Sequence, residues 1–238
     1  MPLSSTPVPE VSVVIPAHNE EAYVRHALAS VAAQRWPLAQ LEAIVVNNGS
    51  IDATAEVVRT FMVEQPGLAV RLLDEPRPGL ARAKNQGANA ARGEWLIFLD
   101  ADSRMAPDLV AAVVRRGQQG YPAGSIAVVA DSGDWLDRGF FALMEFGKRR
   151  FGIHAQMFYC ARSLFQQVGG FAEDLQLAED RELLCRLERA GVAVCHVTES
   201  YIATSPRRLH SRPLRLGVLT TFARWALAHG GVGRRWRY

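Results

Sequence analysis

Four apolar runs recur along the chain: "VSVVI" (11–15), "EAIVV" (42–46), "AVRLLD" (69–74) and "EWLIFLD" (94–100), with helix-length segments between them. Strands built from continuous apolar runs have to be covered on both faces, and helical crossovers between them make neighbouring strands parallel. The pattern predicts an α/β fold, a Rossmann-like, mainly parallel sheet flanked by helices. The first strand is expected to stop at Pro16. A helix over 20–35 follows, with Val24, Ala27, Leu28 and Val31 on one face and Glu20 and Glu21 in its first turn. Ser50 or Asp52 can cap a second helix running to about Gln65, and a third spans about 79–91.

The second half is less regular. A helix is expected over 107–116, a strand over 125–131 and a helix over 136–150 with a cationic end, Lys148-Arg149-Arg150. A strand over 155–162, a helix over 179–191 closed by Gly191 and a last strand over 192–197 follow. At 238 residues and 49% hydrophobic, the chain fits one large α/β domain, or one domain with a modest appendage.

The three cysteines, Cys160, Cys185 and Cys195, are odd in number and lack CxxC spacing, so neither a disulfide framework nor a zinc site is indicated. "MPLSSTPVPE" has neither a basic nor an apolar signal region, and no window of about 18 apolar residues occurs. The expected compartment is the cytoplasm. The net charge of +3 is unevenly spread: residues 206–238 hold eight of the 27 lysines and arginines and no acid, leaving 19 basic against 24 acidic residues, net −5, in 1–205. Such a tail suits phosphates or anionic lipid. Nucleic acid is not expected, because no recognised binding module accompanies the basic stretch.

In "WLIFLDADS", a strand-forming run ends on two carboxylates one residue apart. Bare carboxylates at the end of a buried strand are costly and repel each other, so a cation is expected there. Ligands of an open α/β sheet gather beyond the carboxyl ends of its strands. Three polar stretches fall at such ends: "PAHNE" (16–20), "NNGSID" (47–52) and "DADS" (100–103). The first two suit a base and ribose. The third suits Mg²⁺ or Mn²⁺, hard cations held by few carboxylates plus substrate phosphates. No GxGxxG or GxxxxGK[ST] word is present, which removes dinucleotide and P-loop sites. Glu179 and Asp180 allow two readings: acids favoured by the helix dipole, or carboxylates that the "GGFAEDLQLAED" loop aims at a neighbouring site, as a general base must be aimed.

Taken together, "VSVVIPAHNEE", "VVNNGSIDAT", "GLARAKNQGANAARGEWLIFLDADS" and "GGFAEDLQLAEDRELLCRL" resemble the inverting family 2 glycosyltransferases, in that family's order and over roughly residues 11–191. The resemblance implies the nucleotide-sugar-binding GT-A fold. It divides the chain into a domain over 1–205, with a nucleotide half at 11–103 and an acceptor half at 104–205, and a basic tail at 206–238.

The resemblance also implies residue roles. The loop Pro16, Ala17, His18 to Glu20 meets the nucleoside. Asn47 stands where an aspartate usually contacts the base, Asp100 and Ala101 approach the ribose or metal region, and Asp102 is the principal metal ligand. Asp180 matches the catalytic base, and Glu179 shapes the acceptor side. The reaction implied is in-line displacement of a nucleoside diphosphate from the anomeric carbon by an acceptor hydroxyl, the acceptor being a glycan, a lipid-linked sugar or a small molecule.

The processive synthases carry a Q-x-x-R-W word. Here "VGRRW" (232–236) has Val232 in the glutamine position, so one sugar is expected per encounter. Arg82 and Lys84 are either phosphate contacts or solvated helix cations. Arg207 and Arg208 can clamp a pyrophosphate, with His210 completing a metal shell, or belong to a basic linker. His196 is expected to be structural. A helix over about 213–228, with Leu214, Val218, Phe222 and Trp225 on one face, packs on the core or lies in a membrane interface. The competing functions are a nucleotide-sugar binder without catalysis and a nucleotidyltransferase. The latter expects a Gly-rich, basic first loop, and "PAHNEE" is acidic.

Overall fold

The computed structural model describes residues 9–151, 156–175 and 178–210. In chain order its strands are β1 Val11–Ala17, β2 Leu41–Asn47, β3 Ala69–Asp74, β4 Trp95–Phe98, β5 Ser103–Met105, β6 Ala123–Ala130, β7 Phe158–Ala161 and β8 Val194–Thr204. The helices are α1 Val24–Ala32, α2 Thr54–Glu64, α3 Leu80–Ala90, α4 Leu109–Gln118, α5 Trp135–Phe151, α6 Arg162–Gln167, α7 Glu179–Arg189 and α8 Arg207–His210. The expected helix at 213–228 and the "VGRRW" word lie outside the described residues.

One eight-stranded sheet has the order β3-β2-β1-β4-β7-β6-β8-β5. The block β3-β2-β1-β4 is parallel throughout, as the continuous apolar runs require. In the second half β6 and β8 are parallel, whereas β7 runs antiparallel to β4 and β6, and β5 antiparallel to β8. Alternate side chains feed opposite faces: Val11, Val13 and Ile15 join Leu41, Ala43 and Val45 in one buried cluster. Val14, Ile44 and Val46 join Leu96, Phe98 and the helix residues Ala83, Leu183 and Leu187 in the other. Each fully buried Val, Leu or Ile contributes about 1.5–3 kcal/mol, so this double-sided core dominates stability.

Two boundaries differ from the sequence expectation in ways that shape the site. Strand β1 does not stop at Pro16 but runs to Ala17, paired with Asn47. The carbonyl of Val14 accepts the Leu99 amide on the β4 side. Two residues on, Pro16 faces that same side, where the β1–β4 ladder has already ended, so its missing N–H forfeits no ladder bond. Strand β8 does not end at Val197. Residues 198–200 bulge out, and pairing with β6 resumes at Tyr201 opposite Ala127. Within the bulge Glu199 accepts hydrogen bonds from Arg116 at 2.7 and 3.0 Å, and Ser200 donates to Asp108 at 2.9 Å.

Helix α1 begins at Val24 and not at Glu20, because Glu20 and Glu21 are engaged with the segment before α2. The Glu20 amide donates to Thr54 Oγ1, and Glu21 Oε2 accepts the Ala53 amide. Neither candidate cap for α2 holds the N-cap position, which is Ala53; Asp52, one residue earlier, accepts the Thr54 amide at 3.0 Å. The buried carboxylate of Glu42 accepts from Ser12, from the Arg92 amide and from the Arg92 guanidinium, closing the amino ends of β1, β2 and β4. Gly93 fits there because a Cβ would stand 2.6 Å from the Ser12 nitrogen. Among the described residues no helix is long and apolar enough to cross a membrane.

Candidate active site

The carboxyl ends of β1, β2 and β4 meet at one edge of the sheet. There the first loop is stitched to the second. His18 Nδ1 donates to the Asn48 carbonyl at 2.8 Å, a partner that fixes the proton on Nδ1. Asn19 donates its amide to Ser50 Oγ and accepts the Ile51 amide. Asn48, a residue that sequence reasoning passed over, donates to the carbonyls of Glu75 and Arg77 and accepts the Gly79 amide, so it pins the start of α3 to the end of β2. Asn47 donates to Asp74 Oδ1 at 2.8 Å and accepts the Ser50 amide. The acid missing at position 47 is thus supplied next door by Asp74, at the end of β3. Pro16, Ala17 and Ala101 are buried, so only their backbone can meet a ligand.

Beyond β4 the chain turns sharply, the Asp100 carbonyl accepting the Ser103 amide. The turn leads into β5, whose Ser103 pairs with Thr204 of β8. One residue further the Ser205 amide donates to the Asp102 carbonyl. This register carries Arg207 back to the strand ends. Its Nε donates to Asp102 Oδ2 at 2.9 Å, its other nitrogen reaches Glu20 Oε1, and the guanidinium lies 4.7 Å from the Tyr23 ring centre. The β5–β8 register is the signal that could have found this contact, but three polar-flanked residues show no strand periodicity.

His210 does not join Asp102 in a metal shell. It lies at the end of α8, three residues beyond Arg207, with Nε2 2.9 Å from Asp137 Oδ1 on α5, and that contact engages it away from Asp102. Among the described residues no group of three or more His, Cys, Asp or Glu could hold a metal by itself. The hard oxygen of Asp102, with Asp100 two residues away, fits a divalent cation whose remaining ligands come from a diphosphate and water, and does not fit a cage built by protein alone. The side chain of Arg208 falls outside the description.

Both cations of α3 are paired with acids, but only Lys84 is withdrawn from solvent. Lys84 is 3% exposed, and its Nζ donates to Glu179 Oε1 at 2.8 Å and Asp180 Oδ1 at 2.7 Å, 5.1 Å from the Phe171 ring centre. Arg82 donates to Glu173 at 3.0 Å. Lys84 is not a solvated helix cation; it is committed to the acid pair rather than extended towards a phosphate, whereas Arg82 stays partly exposed in its ion pair. Burial works against the Lys84 charge, but Asp180, Glu179 and Asp100 outweigh it and hold the ammonium above its ordinary range. Burial, reinforced by Glu179 and Asp100, raises Asp180 to about 6 against the opposing pull of Lys84. Asp100 thereby joins the carboxyl end of β4 electrostatically to the start of α7.

The turn before α7 is held from two sides. Asn85 of α3 accepts the Phe171 amide and donates to the Phe171 carbonyl, both at 2.9 Å. Arg186 of α7 donates to the carbonyls of Val168 and Gly170 and to Glu182. Phe98, Phe158, Phe165 and Phe171 pack ring to ring beneath, with centroids 5.0 to 5.8 Å apart. His196 is structural, as expected, between Ser125 Oγ and Glu145 Oε2, each at 2.9 Å. A cavity lined by Glu10, Arg92, Glu94 and Arg162 lies at the amino ends of the strands and shares no residue with this site.

Comparison with known proteins agrees with this geometry. The family model described as glycosyl transferase family 2 matches residues 12–172. The chain is 30% identical over 201 residues to the probable glycosyltransferase YdaM of Bacillus subtilis, an alignment covering 77% of this chain and 48% of that protein. It is 27% identical over 197 residues to the hyaluronan synthase of Pasteurella multocida, covering 77% of this chain and 19% of the relative. The chain therefore spans about half or less of the length of these relatives.

Among solved structures, the mannosyltransferase PcManGT of Pyrobaculum calidifontis, in complex with GDP-Man and Mn²⁺, superposes with a TM-score of 0.67 at 23% identity, covering 92% of this chain and 65% of that one. Residues 1–349 of Staphylococcus aureus TarS, in complex with UDP-GlcNAc, give 0.64 at 20% identity, covering 82% of this chain and 58% of that one. These likenesses show the GT-A fold.

Proposed function

The chain belongs to glycosyltransferase family 2, and from that premise we propose that it is a non-processive, inverting glycosyltransferase moving one sugar from a nucleoside-diphosphate sugar to an acceptor hydroxyl. The observation that carries the proposal is the contact of Lys84 with both Glu179 and Asp180, beside the charge of Asp100. A buried lysine holds two acids at the start of α7, and the charge of Asp100 beyond the end of β4 acts on the same cluster, so Asp180 is fixed beside the carboxyl end of the sheet. A carboxylate whose pKa stands near 6 is ionised at neutral pH yet basic enough to take a proton, the compromise a general base needs.

In this reading the loop of His18 to Glu20, Asn47 and the backbone of Pro16, Ala17 and Ala101 hold the nucleoside. The pairing of Asn47 with Asp74 lends that position the acidity it lacks. Asp102 holds Mn²⁺ or Mg²⁺ on the donor diphosphate, and when bound the cation neutralises charge on the departing group. Arg207 starts on Asp102 and Glu20; a donor diphosphate entering the site offers its guanidinium a bidentate partner of higher charge. Glu179 accepts the second Lys84 hydrogen bond and keeps the ammonium from neutralising Asp180 alone. Asp180 removes the proton of the acceptor hydroxyl while that oxygen forms its bond to the anomeric carbon and the bond to the diphosphate oxygen breaks.

The solved complexes of fold relatives with UDP-GlcNAc and with GDP-Man and Mn²⁺ support a nucleotide-sugar donor and a divalent metal. The experiment is a donor panel assayed for acceptor-dependent release of nucleoside diphosphate, followed by NMR of the product's anomeric configuration. Acceptor-dependent turnover with inversion is expected. Retention of configuration, or tight donor binding without turnover across acceptors, contradicts the proposal.

A further inference from the structure

Helix α5 presents a face that the proposed transfer chemistry does not use. Trp135, Leu136, Leu143 and Phe146 are 77%, 46%, 60% and 65% exposed. At 3.6 residues per turn they gather on one side of the helix with Gly139 and Ala142 between them. Arg138, Arg149 and Arg150 on the same helix are also exposed.

The two carboxylates within the helix, Asp137 and Glu145, are drawn away from that face. Asp137 is buried between Ser132 and His210, Glu145 binds Lys148 and His196, and Asp134 accepts the Leu136 amide. Large apolar side chains and arginines are exposed while the two acids within α5 are turned inward, in a domain whose residues 1–205 carry a net charge of −5. That separation is the composition of a helix that lies in a membrane interface.

We propose that the exposed face of α5 is a docking surface for an anionic phospholipid bilayer. Charge selects this occupant over the two nearest alternatives. Residues 211–238 contain six arginines and no acid, so packing them on α5 would set arginines against arginines. A second copy of α5 would do the same. A bilayer bearing anionic headgroups satisfies both the apolar stripe and the cations beside it. The surface also lies close to the candidate site: α8 spans from Arg207 on Asp102 to His210 on Asp137 of α5, a single helical turn.

Sedimentation of the full chain with vesicles of phosphatidylcholine and phosphatidylglycerol, against phosphatidylcholine alone, tests the proposal without reference to catalysis. Binding to the mixed vesicles is expected. It should weaken about tenfold or more in the double variant Trp135→Ser, Phe146→Ser and, separately, in Arg138→Glu, Arg149→Glu. Both pairs are exposed, so melting curves should be unchanged. Three results would overturn the proposal: no binding to mixed vesicles by the parent chain; full binding by both double variants with loss only on removal of 211–238; or a variant that alters the solution mass of the protein and leaves vesicle binding intact.

Discussion

At the residue scale, the account turns on how few groups control the charge of Asp180. Lys84 supplies one positive charge to a cluster containing Asp180, Glu179 and Asp100. Replacing it with Met removes the compensation and leaves the burial, so the Asp180 pKa should rise further. In the parent enzyme kcat/KM should climb as pH rises through about 6, where the base ionises, and level off above. In Lys84→Met that ascending limb should move to higher pH, and stability should fall by roughly 3–5 kcal/mol because buried acids lose their partner. A pH profile that stays in place would show that Lys84 does not tune the base.

The linkage runs the same way. A carboxyl whose folded pKa exceeds its unfolded value of 3.8 contributes stability below that value and loses the contribution as pH rises through about 6. The ionised base is therefore held at some expense to the fold. The aspartates at 100, 102 and 180 are conspicuous in the sequence because they stand at the end of a strand-forming run and at the start of a helix. The roles of Lys84, Asn48 and Asp74 were not, because each is defined by a partner at least 25 residues away.

At the element scale, residues 11–103 follow their sequence pattern to within a few residues, since continuous apolar runs leave little freedom. Residues 104–205 depart where elements are too short for periodicity or are interrupted. β5 has three residues and α6 six, and the bulge at 198–200 makes one long strand read as a short one followed by polar loop. That long strand is what returns Arg207 to Asp102, a direct contact that the expected pyrophosphate clamp did not include.

The turn before α7 offers an element-level test. Gly170 has φ +70°, and a Cβ there would stand 2.7 Å from Asn85 Oδ1, the atom that accepts the Phe171 amide. Gly170→Ala should lower stability by about 1–3 kcal/mol. It should also reduce kcat more than donor affinity, because it displaces the start of α7 and leaves the strand-end loops alone. A melting curve and a donor titration together check this. Loss of donor binding in proportion to kcat would contradict it.

At the scale of the whole molecule, the four sequence words in order and spacing identify the family before any coordinate, and the fold agrees. What the words did not convey is how the halves are joined. Asp100, beyond the end of β4, acts electrostatically on Lys84 and Asp180, and Arg207 ties the last described segment to the first loop. The basic tail beyond α8 falls outside the described residues, and its expected helix stays an expectation.

The measurement that tests the central claim most directly is kcat and donor Kd for purified Asp180→Asn, with a melting curve to confirm folding. General-base assistance is typically worth about 10²–10⁴-fold, so kcat should fall by about that factor while donor Kd changes little. If Asp180 serves only the helix dipole and its lysine contact, the folded variant will turn over at near the parent rate, and the assignment of Asp180 as the base will be wrong.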